Sequence, residues 1–353
     1  MRRIRIGVAG GEFGAQFFWH VHPRSTVTAV ADLRPERRDL LRRTYRCDRL
    51  HDSLESLVRD REVDAVAVFT PAPLHARHAI LALRAGKHVV SAVPAAMTLD
   101  ECQALIDTVQ QTGLTYMMAE TSVYRPEAMA ARQWHAQGRF GEIFYTEAEY
   151  WHERLDDLFH DSHGRTWRYG FPPMHYPTHA TAFPLRVTGE RLVEVRCIGW
   201  GDDSPVLQDN AYGNPFWNEV AFFTTDRGHA SRIAVGWHLG HPEVERATWY
   251  GSRMCFAMPN GLGGPAAISE SRDVSHPPLP DFQAALPPPL RLPSGHGGSH
   301  VFLTHEFVSA LVEERRPAID IHEAVAYTAP GIVAHQSALR DGEVLRIPSF
   351  ARA

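Results

Sequence analysis

A buried strand, a glycine-rich turn and a second strand ending in an aspartate open this chain. Residues 4–9 are predicted to form a buried strand, the glycine-rich turn covers 10–14, and a second predicted strand over 27–31 ends at Asp32. We expect a helix from about residue 15 between the two strands. A strand, a glycine-rich turn and a helix, followed about twenty residues later by an acidic side chain, are typical of a dinucleotide-binding site.

The chemistry of such a site assigns roles to these residues. Glycines let the backbone approach a pyrophosphate, and the N–H groups at a helix N-terminus bind its oxygens. Asp32 would accept hydrogen bonds from ribose hydroxyls and repel a 2′-phosphate, which favours NAD over NADP; Arg34 and Arg37 leave NADP open. The residues expected to hold the cofactor here are Gly10, Gly11, Glu12, Phe13, Gly14 and Asp32.

The order of predicted elements divides the chain into two domains. Strands and helices alternate up to residue 119, which predicts a parallel sheet with helices on both faces. After residue 124 the β-type segments follow one another, which predicts a mostly antiparallel open sheet; they cover 143–150, 192–199, 219–225, 231–237 and 246–256. Residues 257–300 are rich in proline and glycine and are expected to form a long loop, followed by helices over 304–314 and 321–339. We therefore predict an α/β protein with a Rossmann domain over 1–121 and a second α/β domain over 122–353.

Composition excludes several classes of partner and site. The net charge of -5 gives no electrostatic reason to expect nucleic acid or a membrane surface as a partner. The four cysteines lie far apart, which argues against a disulfide framework or a zinc knuckle and fits a reducing compartment. The N-terminus has no apolar stretch of signal-peptide length, so the cytoplasm is the expected location. Lys87 is the single lysine, so any role that needs an amine falls to it.

Four motifs make the chain similar to a known family. Together they resemble the Gfo/Idh/MocA oxidoreductases, the glucose–fructose oxidoreductase and inositol dehydrogenase-like enzymes. The motifs are Thr70-Pro71-Ala-Pro-Leu-His75, Ala85-Gly-Lys-His88, Gly138-Arg-Phe-Gly-Glu-Ile143 and Gly297-Gly-Ser-His300. The resemblance implies a second domain whose open sheet forms a homodimer or homotetramer interface. It also adds Thr70, Pro71, His75 and Pro94 to the cofactor-binding residues.

The chain departs from that family at a residue that carries chemistry. The family's Glu-Lys-Pro, whose lysine handles a substrate hydroxyl proton, reads Ala92-Val93-Pro94 here. Lys87 cannot replace that lysine, because it lies at the start of the same strand, about 20 Å from Val93 by strand rise. A site that moves an alcohol proton with lysine is therefore excluded.

One branch of the family also lacks this lysine. The segments Val93-Pro-Ala-Ala96 and Tyr176-Pro-Thr-His179 resemble the NAD-dependent α-N-acetylgalactosaminidase-type glycoside hydrolases. In that branch a tyrosine and the histidine belong to the active site, which implies these roles for Tyr124 and His179. The branch's glutamate is absent here, where Ala92 stands.

The candidate catalytic residues combine this resemblance with simple acid–base chemistry. His179 is the first candidate for the acid or base at the reacting hydroxyl, since an imidazole titrates near neutral pH. His175 precedes it by four residues, so on a helix both rings would share one face. Glu120 ends a predicted strand of the first sheet, where ligands bind in open α/β sheets. The histidine pair also has metal-ligand spacing, but no third ligand accompanies it and we expect no metal.

Substrate-binding candidates are side chains with hydrogen-bonding or stacking capacity near the motifs: Tyr176, Trp167, His296 and His300. The tyrosines of 145–150 are expected to pack within the sheet. The expected partner is a small carbohydrate or glycoside, with neither nucleic acid nor membrane.

The sequence is compatible with three functions. The first is glycoside cleavage through a 3-keto sugar with no net redox change. The second is a sugar or cyclitol dehydrogenase with a histidine-based proton relay, and the third is a non-catalytic dinucleotide-sensing protein.

Overall fold

A computed structural model describes residues 3–152 and 155–350 and contains three sheets. Its strands are, in chain order, β1 Ile4–Ala9, β2 Ser25–Ala31, β3 Leu50–His51, β4 Ala65–Val68, β5 His88–Ser91, β6 Tyr116–Met118, β7 Ile143–Trp151, β8 His160–Asp161, β9 Gly164–Arg165, β10 Leu192–Trp200, β11 Asn218–Thr225, β12 Ala230–Gly236, β13 Val244–Gly251, β14 Met254–Ala257, β15 Ala267–Glu270, β16 Asp273–Ser275 and β17 Leu345–Arg346.

The helices range from single turns to eighteen residues. They are α1 Pro35–Tyr45, α2 Leu54–Leu57, α3 His75–Arg84, α4 Leu99–Thr112, α5 Pro126–Ala136, α6 Thr178–Thr188, α7 Pro205–Gln208, α8 Gly295–Val312 and α9 Ile321–Ala338. Three short 3-10 turns also matter for the site: Phe13–Gln16, Thr121–Tyr124 and Pro173–His175. None of the helices in these described ranges is long and apolar enough to cross a membrane.

The first compact unit consists of residues 3–125 together with 281–325. Its six-stranded sheet has the order β3-β2-β1-β4-β5-β6, and every pairing is parallel. All four residues of β4 are buried, as expected for a parallel strand covered on both faces. The sequence prediction put residues 281–325 with the second domain, whereas their contacts group them with this sheet.

The expected helix after Gly14 is wrong. Only a 3-10 turn over Phe13–Gln16 forms, and Phe17 is already extended. The aromatic side chains explain the difference. The Phe17 ring stacks on Trp19 at 5.4 Å and on Phe69 at 4.5 Å between ring centroids, and both Phe17 and Trp19 are almost completely buried. Burying both large rings beside the sheet outweighs the few hydrogen bonds of another helical turn.

The second unit consists of residues 126–152, 155–280 and 326–350. Its sheet has the order β16-β15-β14-β13-β7-β12-β11-β10-β17, in which β7 and β12 pair in parallel and the other neighbours are antiparallel. The predicted α/β fold with a large, mostly antiparallel open sheet is confirmed.

Two predicted segments of this unit differ in detail. The run over 246–256 is a hairpin, because β13 ends at Gly251 and β14 begins at Met254. The expected long loop after residue 257 contains the two edge strands β15 and β16. Their short length explains why periodicity did not reveal them.

Candidate functional site

The glycine-rich turn lies at the carboxyl end of β1, beside β4, where the strand order reverses direction. Gly10 has a φ of 103°, and a Cβ there would overlap the carbonyl oxygen of Phe69. A Cβ on Gly11 would overlap the Arg37 backbone of α1. Both positions therefore require glycine, and the turn stays open to a ligand at the switch point, where dinucleotides bind in this topology.

Asp32 is fixed at the end of β2 by backbone groups. Its carboxylate accepts from the N–H of Gly11 at 2.6 Å and from the N–H of Arg34 at 2.9 Å. The Arg37 guanidinium forms an ion pair with Glu12 at 2.9 Å. Arg37, one of the two arginines that could bind the 2′-phosphate of NADP, is thus already paired with a carboxylate.

These residues fit a dinucleotide, with one correction to the sequence-based account. The glycines and Asp32 hold the positions that the fingerprint requires. The long helix dipole expected to face the phosphates is absent, and only the N–H groups that open the turn at Phe13 and Gly14 remain for that role.

The other predicted cofactor residues gather at the ends of β4 and β5. His75 joins the two strand ends, with Nδ1 2.8 Å from the Pro94 carbonyl oxygen and Nε2 2.7 Å from the Thr70 carbonyl oxygen. The Thr70 hydroxyl lies 2.9 Å from Nδ1 of His78. Pro71 follows Thr70 and precedes α3. His75 is 2% exposed, so its part in the site is to position backbone.

The single lysine is held away from this edge of the sheet. Lys87 donates from Nζ to the carbonyl oxygens of Asp60 at 2.8 Å and Val63 at 2.7 Å, at the amino end of β5. Burial lowers the pKa of its amine. Val93 lies beyond the carboxyl end of the same strand and is buried.

Glu120 and Tyr124 bracket the 3-10 turn that follows β6. The fully buried Glu120 carboxylate accepts from the N–H of Ser122 at 2.9 Å and so caps the turn. Tyr124 stacks on Phe302 of α8, with ring centroids 5.9 Å apart. Glu120 therefore fixes the backbone that carries Tyr124.

His296 and His300 lie beside the glycine-rich turn of the first unit. Their rings are 5.6 Å and 5.5 Å from the Phe13 ring. Nδ1 of His300 is 3.2 Å from the Gln16 carbonyl oxygen, and its Nε2 is 3.0 Å from Nδ1 of His296. Burial lowers the pKa of His300 to about 4, so at neutral pH its Nδ1–H donates a hydrogen bond to the Gln16 carbonyl oxygen and its Nε2 accepts one from the Nδ1–H of His296. The tautomer of His296 is thereby fixed with its proton on Nδ1.

His179 lies in the first turn of α6 in the second unit, inside an aromatic cluster. Its ring is 4.8 Å from Tyr150 and 5.2 Å from Tyr176, both in edge-to-face geometry. Trp237 completes the cluster at 5.9 Å from Tyr150 and 6.2 Å from Tyr176. Burial raises the pKa of Tyr150. The cluster thus places one imidazole among two phenols and an indole.

His175 is not the helical partner of His179. It belongs to the 3-10 turn over Pro173–His175, and α6 begins only at Thr178, so the expected shared helix face is wrong. Prolines 172, 173 and 177 explain this, because each removes a backbone donor from a would-be helix. His175 packs instead against His335 at 4.9 Å, and burial beside that ring lowers its pKa to about 3.

A buried carboxylate anchors the segment before α6. Glu219 of β11 is fully buried and accepts from the N–H of Met174 at 2.7 Å and from Nδ1 of His335 at 2.9 Å. A Cβ on Gly331 of α9 would overlap the Met174 carbonyl oxygen, so helix and segment are in close contact. Glu219 and Gly331 together fix the backbone that leads to Tyr176 and His179.

Sequence reasoning missed Tyr150 and Trp237 as members of the cluster. From the sequence, Tyr150 is expected to pack within the sheet, and the alternation along β7 is the signal that places it on the buried face. Trp167, a predicted stacking residue, lies under the Arg168 guanidinium at 4.2 Å and beside Phe171 at 5.2 Å. Within residues 3–152 and 155–350, no group of three histidine, cysteine or acidic side chains forms a metal-binding cluster.

Comparison with known proteins agrees with the two-part architecture. Residues 4–120 match the oxidoreductase family with an NAD-binding Rossmann fold, GFO_IDH_MocA, and residues 290–353 match the C-terminal domain of glycosyl hydrolase 109. A glycosyl hydrolase family 109 protein of Saccharopolyspora erythraea is 25% identical over 99% of this chain and 83% of its own.

Solved structures share the fold at lower identity. An oxidoreductase domain protein from Kribbella flavida has a TM-score of 0.83 at 20% identity and covers 99% of this chain and 100% of its own. Levoglucosan dehydrogenase in complex with NADH and levoglucosan has a TM-score of 0.80 at 19% identity, with the same coverage of 99% and 100%.

Proposed function

We propose that the chain is an NAD-dependent carbohydrate enzyme of the Gfo/Idh/MocA type that cleaves a glycoside without net oxidation. The premise is the match of residues 4–120 to the GFO_IDH_MocA oxidoreductase domain and of residues 290–353 to the C-terminal domain of glycosyl hydrolase 109. The substrate class is a small glycoside, and C3 of its ring is the carbon that loses and regains a hydride. Loss of that hydride from C3 and of the proton from the C3 hydroxyl leaves a ketone, which makes the proton on C2 acidic. The C1 substituent is then eliminated, water adds, and the ketone is reduced again.

The cofactor would be held at the glycine-rich turn. Gly10 and Gly11 would allow the close backbone approach, and the Asp32 carboxylate would bind the ribose hydroxyls and disfavour a 2′-phosphate, which supports NAD over NADP. Bound NAD supplies the hydride acceptor and donor. His75 holds the Thr70 and Pro94 backbone in place at the same sheet edge.

Two observations support the proposal: the first unit lacks the family's lysine, and the second unit holds His179 among the phenol rings of Tyr150 and Tyr176. Val93 stands where the family's lysine would be, so the hydroxyl proton needs another acceptor. We assign that role to His179, and Tyr176 orients the ring that accepts the proton. Tyr124 is the proposed acid for the leaving oxygen.

Solvent isotope incorporation tests this proposal directly. In D2O the C2 proton is removed and replaced from solvent, so the released sugar should carry deuterium at C2. A p-nitrophenyl glycoside panel identifies the substrate, and mass spectrometry with NMR locates the label. Sugar released without label at C2 would indicate direct hydrolysis and contradict the proposal.

Net dehydrogenation is the second candidate, and a specific residue favours it. The glutamate of the glycoside hydrolase branch is replaced by Ala92, which removes one acid–base group from the elimination scheme. A dehydrogenase needs only the hydroxyl base. It would form NADH steadily with a free sugar and give no aglycone.

A second copy of the chain is the proposed partner of the open sheet. Its outer face exposes Ile198, Trp200 and Phe222, which the β10–β11 register places on one side, next to the ion pairs of Glu149 with Arg232 and Arg246. Phe222→Glu should convert a dimer or tetramer to monomer in sedimentation experiments. The four unpaired cysteines support a cytoplasmic location.

A further inference from the structure

A cleft of about 1090 Å³ opens at the amino end of the six-stranded sheet. The residues at or just before the starts of β1, β4, β5 and β6 line one side, and residues 310–322 line the other. This is the edge opposite the glycine-rich turn, because all six strands run in parallel. The cleft is therefore separate from the dinucleotide site.

Positive charge predominates in this cleft. Its cationic side chains are Arg5, Arg24, Arg61, Lys87, Arg315 and Arg316, and its carboxylates are Asp64, Glu314 and Asp320. Two of these cations are neutralised: Arg5 pairs with Asp64 at 2.8 Å, and Arg315 pairs with Glu306 at 2.7 Å. In the described part of the chain, Lys87 donates hydrogen bonds to two neutral carbonyl groups and to no carboxylate.

Three arginines remain for a ligand. Arg24 has a buried Nε with no hydrogen-bond partner among the described residues, which is a costly arrangement for a donor of a charged group. Arg61 and Arg316 are exposed and form no ion pair within residues 3–152 and 155–350. An anion bound in the cleft would be attracted by all three charges, and guanidinium groups offer it charge-assisted hydrogen bonds.

The rest of the wall is apolar. Val63, Leu114, Pro317 and Ile321 line the same cleft. A volume of this order accommodates a small organic molecule, and planar guanidinium groups match phosphate oxygens in pairs. The lining thus combines phosphate-binding groups with a surface for an organic moiety.

We propose that the cleft between the amino ends of β1, β4, β5 and β6 and residues 310–322 binds a phosphorylated small organic anion through Arg24, Arg61 and Arg316. This site is distinct from the NAD site and does not depend on the proposed reaction. The pyrophosphate ion reproduces its charged part and serves as the probe.

Calorimetric titration of the full chain with inorganic pyrophosphate tests the site in the presence of excess NAD, which covers the glycine-rich turn. Arg24→Gln, Arg61→Gln and Arg316→Gln should each weaken pyrophosphate binding about tenfold, as expected for one charge-assisted hydrogen bond. The matched controls Arg43→Gln and Arg227→Gln remove the same charge from exposed positions outside the cleft. They should change the affinity by less than about twofold, since long-range charge effects are screened by salt.

The fold of each variant is checked by its thermal unfolding, and Arg61 and Arg316 are exposed enough that both variants should unfold as the wild type does. Wild-type protein that does not bind pyrophosphate overturns the proposal, as does equal weakening by the cleft and control variants. Failure of NAD to bind would contradict the proposed function, while pyrophosphate binding that depends on the cleft arginines would still support this second site.

Discussion

The glycine-rich turn of the first unit and the 172–179 segment of the second share one local feature, a short 3-10 turn. In both, a 3-10 turn forms at the motif residues: a helix is predicted directly after Gly14, and a shared helix face is considered for His175 and His179. At Phe13–Gln16 the helix never follows, because aromatic side chains enter the core. At Pro173–His175 it follows after Pro177, so His175 and His179 point to different neighbours. The motifs identify the residues, whereas tertiary packing decides what each can reach.

The largest expected effect is the difference in kcat between substitutions of His179 and of His175. His179→Ala should lower kcat on the glycoside by about 100- to 10,000-fold, the usual loss on removing a general base. His175→Phe should leave kcat within about threefold, because that ring packs against His335 and is not assigned to proton transfer. Steady-state kinetics of both variants measure the contrast, and equal losses would contradict the division of roles.

Removal of the buried Glu219 carboxylate should have a large effect on the free energy of unfolding. Glu219→Leu leaves the buried Nδ1 of His335 and the N–H of Met174 without their acceptor, so the free energy of unfolding should fall by about 3–5 kcal/mol. Glu219→Gln keeps one acceptor oxygen and should cost less. Urea unfolding of both variants checks this, and a Leu variant as stable as the wild type would show that the anchor contributes nothing.

These two cases also show how far the sequence leads. The parallel sheet, the open antiparallel sheet and the residues of the glycine-rich turn follow from periodicity and motif, because local patterns encode them. The Glu219–His335 contact joins residues 116 positions apart, and the close approach of Gly331 to Met174 spans a similar distance along the chain. Single-sequence patterns carry no signal for such pairs.

Substitutions beside the glycine-rich turn should change the cofactor preference, and this effect is smaller than the two above. Asp32→Ser removes the carboxylate that would repel a 2′-phosphate, so the NADP-to-NAD affinity ratio should rise about 10- to 100-fold. Glu12→Gln, the companion change, releases Arg37 from its exposed ion pair and should shift the ratio only about twofold. Fluorescence titration with both dinucleotides measures the ratio, and no change in Asp32→Ser would exclude Asp32 from ribose recognition.

Acid sensitivity should follow from the buried histidines. The unfolded chain binds a proton at each histidine as the pH falls below 6.5, whereas the folded pKa values are about 3 for His175 and about 4 for His22 and His300. The unfolded state therefore binds more protons in this window, and each histidine lowers stability by about 1.4 kcal/mol per pH unit as the pH falls. His175→Phe should reduce that slope in urea unfolding, and an unchanged slope would show that His175 titrates normally when folded.

Glycoside cleavage without net oxidation is tested most directly by following aglycone and NADH in the same reaction. Purified protein with a chromogenic glycoside should release aglycone over many turnovers while the NADH absorbance stays constant, because the hydride taken from the sugar is returned to it. Formation of one NADH for each sugar consumed would contradict the redox-neutral cycle and identify the protein as a net dehydrogenase.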